Sequence, residues 1–134
     1  MMYDIIVVGG GPAGLAASIY AARALKKTLV IEKSIFGGQI TQTTKVENYP
    51  GFLEISGMEL GKKMALQAKS LGVESAYGEV TKISKEQDIF TVVVGEKSYQ
   101  SSVVIYATGA SPRKLQVPNE EKLIGSGISY CATC

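Results

Sequence analysis

The chain has 134 residues, 46% of them hydrophobic and 19% charged, which bounds it to one soluble, globular domain with room for a core. Lys and Arg number 14 against 12 Asp and Glu; this balance and the lack of any dense basic run argue against nucleic acid. There is no histidine, which excludes Ser/His/Asp and Cys/His catalysis and every His-ligated metal site within these residues.

In chain order, the N-terminus MMYDIIVVGGG lacks the basic start of a signal peptide, and no apolar run approaches the roughly 20 residues of a membrane helix. Residues 3–8, YDIIVV, form a continuous apolar, β-branched run, the pattern of a strand buried on both faces. GGGPAG follows at 9–14, with Pro12 where a first helical turn tolerates it. Residues 15–25 are Ala-rich, with Leu15, Ile19 and Ala22 about a turn apart, and predict a helix. TLVIE at 28–32 predicts a second buried strand, completing a βαβ unit.

Residues 33–52 are polar and Gly-rich, and a loop this long in a compact domain points to function. Ser56-x-x-Glu59 is a capping box opening a helix whose Leu60, Met64, Ala68 and Leu71 share one face and which Gly72 stops. Met58 is also expected in the core, and Lys62 and Lys63 on a solvated face. Beyond it, GEVTKISK, DIFTVVVG, KSYQ and SVVIYATG predict an antiparallel meander with a turn at Gly95–Glu96, returning to a final buried strand at 103–108. Tyr77, Phe90 and Tyr99 are assigned to packing there. Residues 111–121 read as a Pro-containing connector.

Two features carry chemistry. Gly9-x-Gly11-x-x-Gly14 sits between a strand and a helix, as the dinucleotide fingerprint requires. Gly9 permits the tight turn, Gly11 lets a pyrophosphate approach the backbone, and Gly14 lets helix and strand pack closely. The helix N-terminus offers free N–H groups and partial positive charge. Glu32, ending the second strand, suits a ribose diol and repels a 2′-phosphate, so FAD or NAD fits. The ATGA turn after 103–108 and the meander favour FAD. The second feature is Cys131-x-x-Cys134, whose thiols can attack and resolve a disulfide. Half of a Cys₄ zinc site would need a second pair, so no metal is expected; two inert thiols are the other alternative.

VVGGGPAGLAASIYAAR, GGQITQTTKVENYPG, ATGASPR and CATC together resemble bacterial thioredoxin reductases of the low-molecular-weight type, across essentially all 134 residues. The resemblance implies an incomplete α/β, FAD-binding Rossmann-like three-layer fold, with a parallel sheet and an antiparallel β-meander. It implies the N-terminal part of the FAD domain at 1–112, then a connector and the start of an NADPH domain at 113–134. It assigns FAD to Gly9, Gly11, Pro12, Ala13, Gly14, Glu32 and Lys33, to Gly38, Gln39, Thr44 and Asn48 of the long loop, to Val80 near the adenine, and to Ala107, Thr108 and Gly109 across the pyrophosphate.

By the same resemblance, Cys134 is the flavin-proximal thiol and Cys131 attacks thioredoxin. The activity implied is NADPH-dependent reduction of the thioredoxin disulfide by a cytoplasmic homodimer, with the NADPH site outside these residues. In the family the chain continues past CATC with an acidic proton donor, a second glycine fingerprint and a segment completing the FAD site. An N-terminal piece of a longer enzyme, inactive by itself, is therefore the expectation. A ferredoxin-fed or peroxide-defence flavoprotein, or an FAD-binding fragment without turnover, are the competing readings.

Overall fold

The computed structural model describes residues 2–130; Met1 and residues 131–134, including both cysteines, lie outside the described residues. Chain order is β1 (Met2–Val8), α1 (Pro12–Arg23), β2 (Thr28–Glu32), a 3₁₀ turn (Gly38–Gln42) and α2 (Gly57–Ser70). Then follow β3 (Glu74–Tyr77), β4 (Val80–Glu86), β5 (Ile89–Val94), β6 (Lys97–Tyr106) and the short α3 (Glu120–Leu123).

Among the described residues, six strands form one sheet in the order β3-β2-β1-β6-β5-β4. β1 pairs in parallel with both β2 and β6, and β2 in parallel with β3. β4, β5 and β6 form the antiparallel meander. The apolar runs of β1 and β2 follow from burial on both faces. Val7 and Val30 join Leu15 of α1 and Ala68 of α2 in one cluster, while Ile6, Val8, Leu29 and Ile31 meet Val92 and Val94 of β5 in another. The meander thus folds over the face that the helices leave open, which produces the expected three layers. Each fully buried Ile, Leu or Val contributes about 1.5–3 kcal/mol.

Several local expectations hold. Ser56 Oγ accepts a 3.2 Å bond from Glu59 N–H, and the Glu59 side chain turns to Lys63 instead of completing the box. Gly72 at φ +85° ends α2, and Gly95 at φ +58° makes the β5–β6 turn. Lys62 and Lys63 are exposed.

Others are corrected. α1 begins at Pro12, since proline is pre-set for a first turn, and ends at Arg23, leaving Leu25 exposed in a left-handed turn. Met58 and Leu71 are exposed, so the buried face of α2 is set by Leu60 and Ala68 with Met64 beside them. KSYQ and SVVIY belong to one strand, β6, whose first half pairs with β5 and second half with β1, and which ends at Tyr106, short of the expected 108. That second half is not fully buried: Val103 is 46% and Tyr106 67% exposed. β3 has no counterpart in the sequence pattern, because its four residues are largely exposed at the sheet edge and carry no apolar signal. Of the three aromatic rings assigned to meander packing, Tyr99 does pack on Tyr3, whereas Tyr77 stands on β3 in a T-shaped pair with Phe36.

After β6 the connector has local structure. The Glu120 carboxylate, only 5% exposed, accepts from Leu115 N–H at 2.9 Å and Gln116 N–H at 2.7 Å.

One long-range link spans three strands: buried Tyr3 of β1 donates a 2.8 Å bond to Glu74 of β3. Burial first, then the Glu74 hydrogen bond and charge, push the Tyr3 phenol up to about 12 from its ordinary 10. The folded state therefore favours the protonated phenol. The stability this contributes is intact below pH 10 and is lost as pH rises from about 10 through about 12. Tyr3→Phe is expected to cost about 0.5–1.5 kcal/mol at neutral pH. It should also remove part of the alkaline fall in stability. Urea unfolding of both proteins from pH 8 to 12 checks this; parallel stability curves across that range would contradict it.

Candidate flavin-binding site

The carboxyl ends of β1, β2 and β6 converge where the sheet runs in opposite directions away from β1, the place where open α/β sheets bind ligands. A cleft of about 160 Å³ opens there. It is lined by Gly9 after β1, Glu32 at the end of β2, Lys33 after it, Gly78, Glu79 and Val80 where β3 passes into β4, and Thr108 after β6. A second cleft, of about 300 Å³ between α2 and β3, is lined mainly by apolar residues such as Leu15, Val30, Phe36 and Leu66 and contains no part of the glycine turn.

Two glycines of the turn are required by the protein's own backbone. Gly9 stands at φ +107°, and a Cβ there would lie 2.2 Å from the Ala107 carbonyl oxygen. A Cβ on Gly14 would lie 1.9 Å from the Gly9 carbonyl oxygen and 3.2 Å from Val7, so α1 reaches β1 only through a glycine. Gly11 differs. Its φ of −74° suits any residue, and the nearest atom to an added Cβ is Gly38 Cα at 3.9 Å. A Cβ there would make only ordinary contact with Gly38, so the protein itself does not demand glycine at this position, whereas a ligand running along the backbone would. Gly11 caps α1 without a side-chain bond, and no acidic residue stands in the first turn. No side chain of the first turn caps the positive end of the helix dipole, which leaves those N–H groups for an anionic diphosphate.

Glu32 is 8% exposed. Its carboxylate accepts from Gly10 N–H at 2.7 Å and Ser34 N–H at 2.8 Å. An ionised carboxylate offers about four acceptor positions, so two remain for hydroxyl groups of a ligand. Lys33 and Glu79 approach to 3.7 Å across the mouth of the cleft, and both are well exposed. Such a pair contributes about 0–1 kcal/mol.

The long loop is brought to the same end of the sheet. Gly37 N–H donates to the Gly10 carbonyl at 2.8 Å, and Gly38 packs against Gly11. The Gln39 side-chain amide donates to the Ala110 carbonyl, which joins the 3₁₀ turn to the segment after β6. Ala107 N–H donates to the Val8 carbonyl at 2.8 Å, and Gly109 follows in open space at φ +69°. Pro12 and Ala13 stand in the first turn of α1, and Val80 lines the cleft. Thr44 and Asn48 lie exposed in the loop and outside the cleft lining. Gly10 lies inside the glycine run, whereas Ser34 and Gly78 carry no sequence signal because they act through backbone N–H groups.

The residues present fit a dinucleotide: a backbone without side chain at Gly11, a helix end with no first-turn cap, and a buried carboxylate with spare acceptors. No group of His, Cys, Asp and Glu among the described residues is arranged to hold a metal ion. No helix among them is long and apolar enough to cross a membrane.

Comparison with known proteins agrees with this geometry. The chain is 47% identical over 133 residues to the thioredoxin reductases of Listeria monocytogenes and Bacillus subtilis. The match covers 99% of this chain and 42% of each relative, so the chain spans about two fifths of the relatives' length. The solved structure of Lactococcus lactis thioredoxin reductase (FR conformation) superposes with a TM-score of 0.87 at 45% identity. It covers 98% of this chain and 44% of that one. The cleft at the strand ends, the three-layer fold around it and a match of residues 3–134 to the description "pyridine nucleotide-disulphide oxidoreductase" point the same way. The chain belongs to the pyridine nucleotide-disulphide oxidoreductase family.

Proposed function

We propose that these residues form the FAD-binding part of a thioredoxin-disulfide reductase that passes electrons from NADPH through FAD and the Cys131/Cys134 pair to the thioredoxin disulfide. The observation that carries the reading is the cleft in which the glycine turn, the α1 N-terminus and Glu32 converge. Its high identity to proteins named thioredoxin reductase supports the choice of activity.

In this reading Gly9–Gly14 and the first turn of α1 hold the pyrophosphate, and Glu32 accepts from the adenosine ribose with Lys33 beside it. Val80 borders the adenine. Ala107, Thr108 and Gly109 cross the pyrophosphate from the β6 side. Gly38 and Gln39 bring the long loop against the cofactor, with Thr44 and Asn48 further along it. FAD, when bound, supplies two-electron exchange between a hydride donor and a disulfide. Residues 1–112 belong to the FAD domain, and 113–134 lead into the NADPH domain. The two thiols cycle between dithiol and disulfide, with Cys134 nearer the flavin and Cys131 attacking thioredoxin. NADPH is held by other residues, and the working enzyme is a cytoplasmic homodimer.

The first test is flavin uptake. The purified protein, stripped and reconstituted with FAD, is expected to take up visible flavin absorbance. Glu32→Ala should weaken FAD binding through lost charge-assisted hydrogen bonds of about 1.5–3 kcal/mol each. A protein that takes up no FAD under any condition in which it is folded would sink the reading.

A further inference from the structure

A carboxylate that served only as a ribose acceptor would have no need to be bonded to the turn beside it. Glu32 is so bonded. Its Oε2 accepts from Gly10 N–H in a buried setting, and its Oε1 from Ser34 N–H. Its main-chain carbonyl accepts from Gly78 N–H at 2.9 Å. One residue therefore joins the glycine turn, the start of the long loop and the β3–β4 turn. Gly10 is held at both ends, since its carbonyl accepts from Gly37 N–H at 2.8 Å. A Cβ on Gly10 would lie 3.0 Å from Glu32 Cβ and 2.6 Å from the Phe36 ring, so Gly10 can sit against Glu32 only because it is glycine.

The carboxylate satisfies the buried Gly10 amide, which has no other acceptor among the described contacts. Without the carboxylate, Gly10 N–H would be left buried and unpaired. The turn that includes Gly9, at φ +107°, would lose its only side-chain anchor among the described contacts.

We infer that Glu32 is a positioning residue for the glycine turn, holding it in its ligand-receiving shape before any cofactor arrives, in addition to accepting from the ribose. The inference rests on reading the cleft as a site for the adenosine diphosphate half of FAD. Two acceptor positions of the carboxylate serve the protein and two serve the ligand, so losing Glu32 weakens binding of a ligand even where that ligand has no diol.

The sign of the effect separates this role from electrostatics. Removing a carboxylate near a diphosphate relieves like-charge repulsion and by itself tightens binding. A loosened turn weakens it. The probes are ADP and 2′,3′-dideoxy-ADP, titrated calorimetrically into flavin-free wild type, Glu32→Ala and Glu32→Gln. Site-resolved hydrogen exchange at Gly10 is followed in the same proteins without ligand.

Glu32→Ala is expected to bind dideoxy-ADP about tenfold more weakly than wild type does, the scale of one charge-assisted hydrogen bond. Gly10 exchange should quicken by at least a similar factor in Glu32→Ala, while the central strands keep their protection. Glu32→Gln keeps an acceptor for Gly10 and should restore most of the protection. Equal or tighter binding of dideoxy-ADP by Glu32→Ala, or unchanged Gly10 exchange, would overturn the inference. Should wild type bind no ADP at all, the reading of the cleft falls. The ligand-free Gly10 exchange rates would still decide whether Glu32 holds the turn.

Discussion

Gly14→Ala is expected to lose flavin binding and to destabilise the protein by about 3 kcal/mol or more, at the upper end of what overpacking costs. The added methyl would sit 1.9 Å from the Gly9 carbonyl oxygen and 3.2 Å from a Val7 methyl, and the obstacle is backbone rather than a movable side chain. To relieve it, α1 must lift from β1. That opens the cluster of Val7, Leu15 and Val30 and displaces the first turn of the helix from the cleft. Gly11→Ala is the control. Its methyl meets nothing closer than 3.9 Å and its backbone is ordinary, so flavin-free stability should change by less than about 1 kcal/mol. If a pyrophosphate runs across Gly11, this silent substitution should still weaken FAD binding. Thermal unfolding of the flavin-free proteins and FAD titration separate the two. A Gly14→Ala protein as stable as wild type would refute the packing argument. Unaltered FAD affinity in Gly11→Ala would refute the approach of the ligand at that point.

Cys134→Ser, made in the enzyme that turns over thioredoxin, should leave FAD bound and reducible by NADPH while thioredoxin reduction falls to background. A serine hydroxyl cannot form the intramolecular disulfide, so electrons have no covalent route from flavin to partner. Cys131→Ser should give the same loss by removing the attacking thiolate. The check is a pair of measurements on each variant: anaerobic bleaching of the flavin by NADPH, and steady-state turnover with oxidised thioredoxin. Undiminished turnover in either variant would show that the pair does not relay electrons.

Much of the site was legible because its signals are local. The glycine spacing, Pro12 and the apolar runs on either side are read within about 30 residues. Each reflects a conformation that only certain residues adopt. Glu32 was legible because it ends a strand whose register places it at the carboxyl end of the sheet, beside the glycine turn. The capping serine at 56 and the turn glycines at 72 and 95 behaved as their backbone preferences require. Thr44 and Asn48 came from resemblance alone, and the structure leaves them in the exposed part of the loop.

The sequence by itself determined the βαβ unit, the glycine turn, the acidic residue after β2 and the presence of a meander, because helix, strand and turn preferences act over a few neighbouring residues. Only the tertiary structure decided that β6 joins β5 at one end and β1 at the other, that four exposed residues form the edge strand β3, and that the meander closes the open face of the sheet. It alone placed Gly38 against Gly11 and tied the Glu32 carboxylate to Gly10. The β1–β6 pairing joins residues about 100 apart, and the Glu32–Gly10 bond residues 22 apart. Apolar periodicity records that a residue is buried and carries no information about which partner buries it. The partner is set by packing and by backbone groups seeking hydrogen bonds, and every residue carries the same backbone groups.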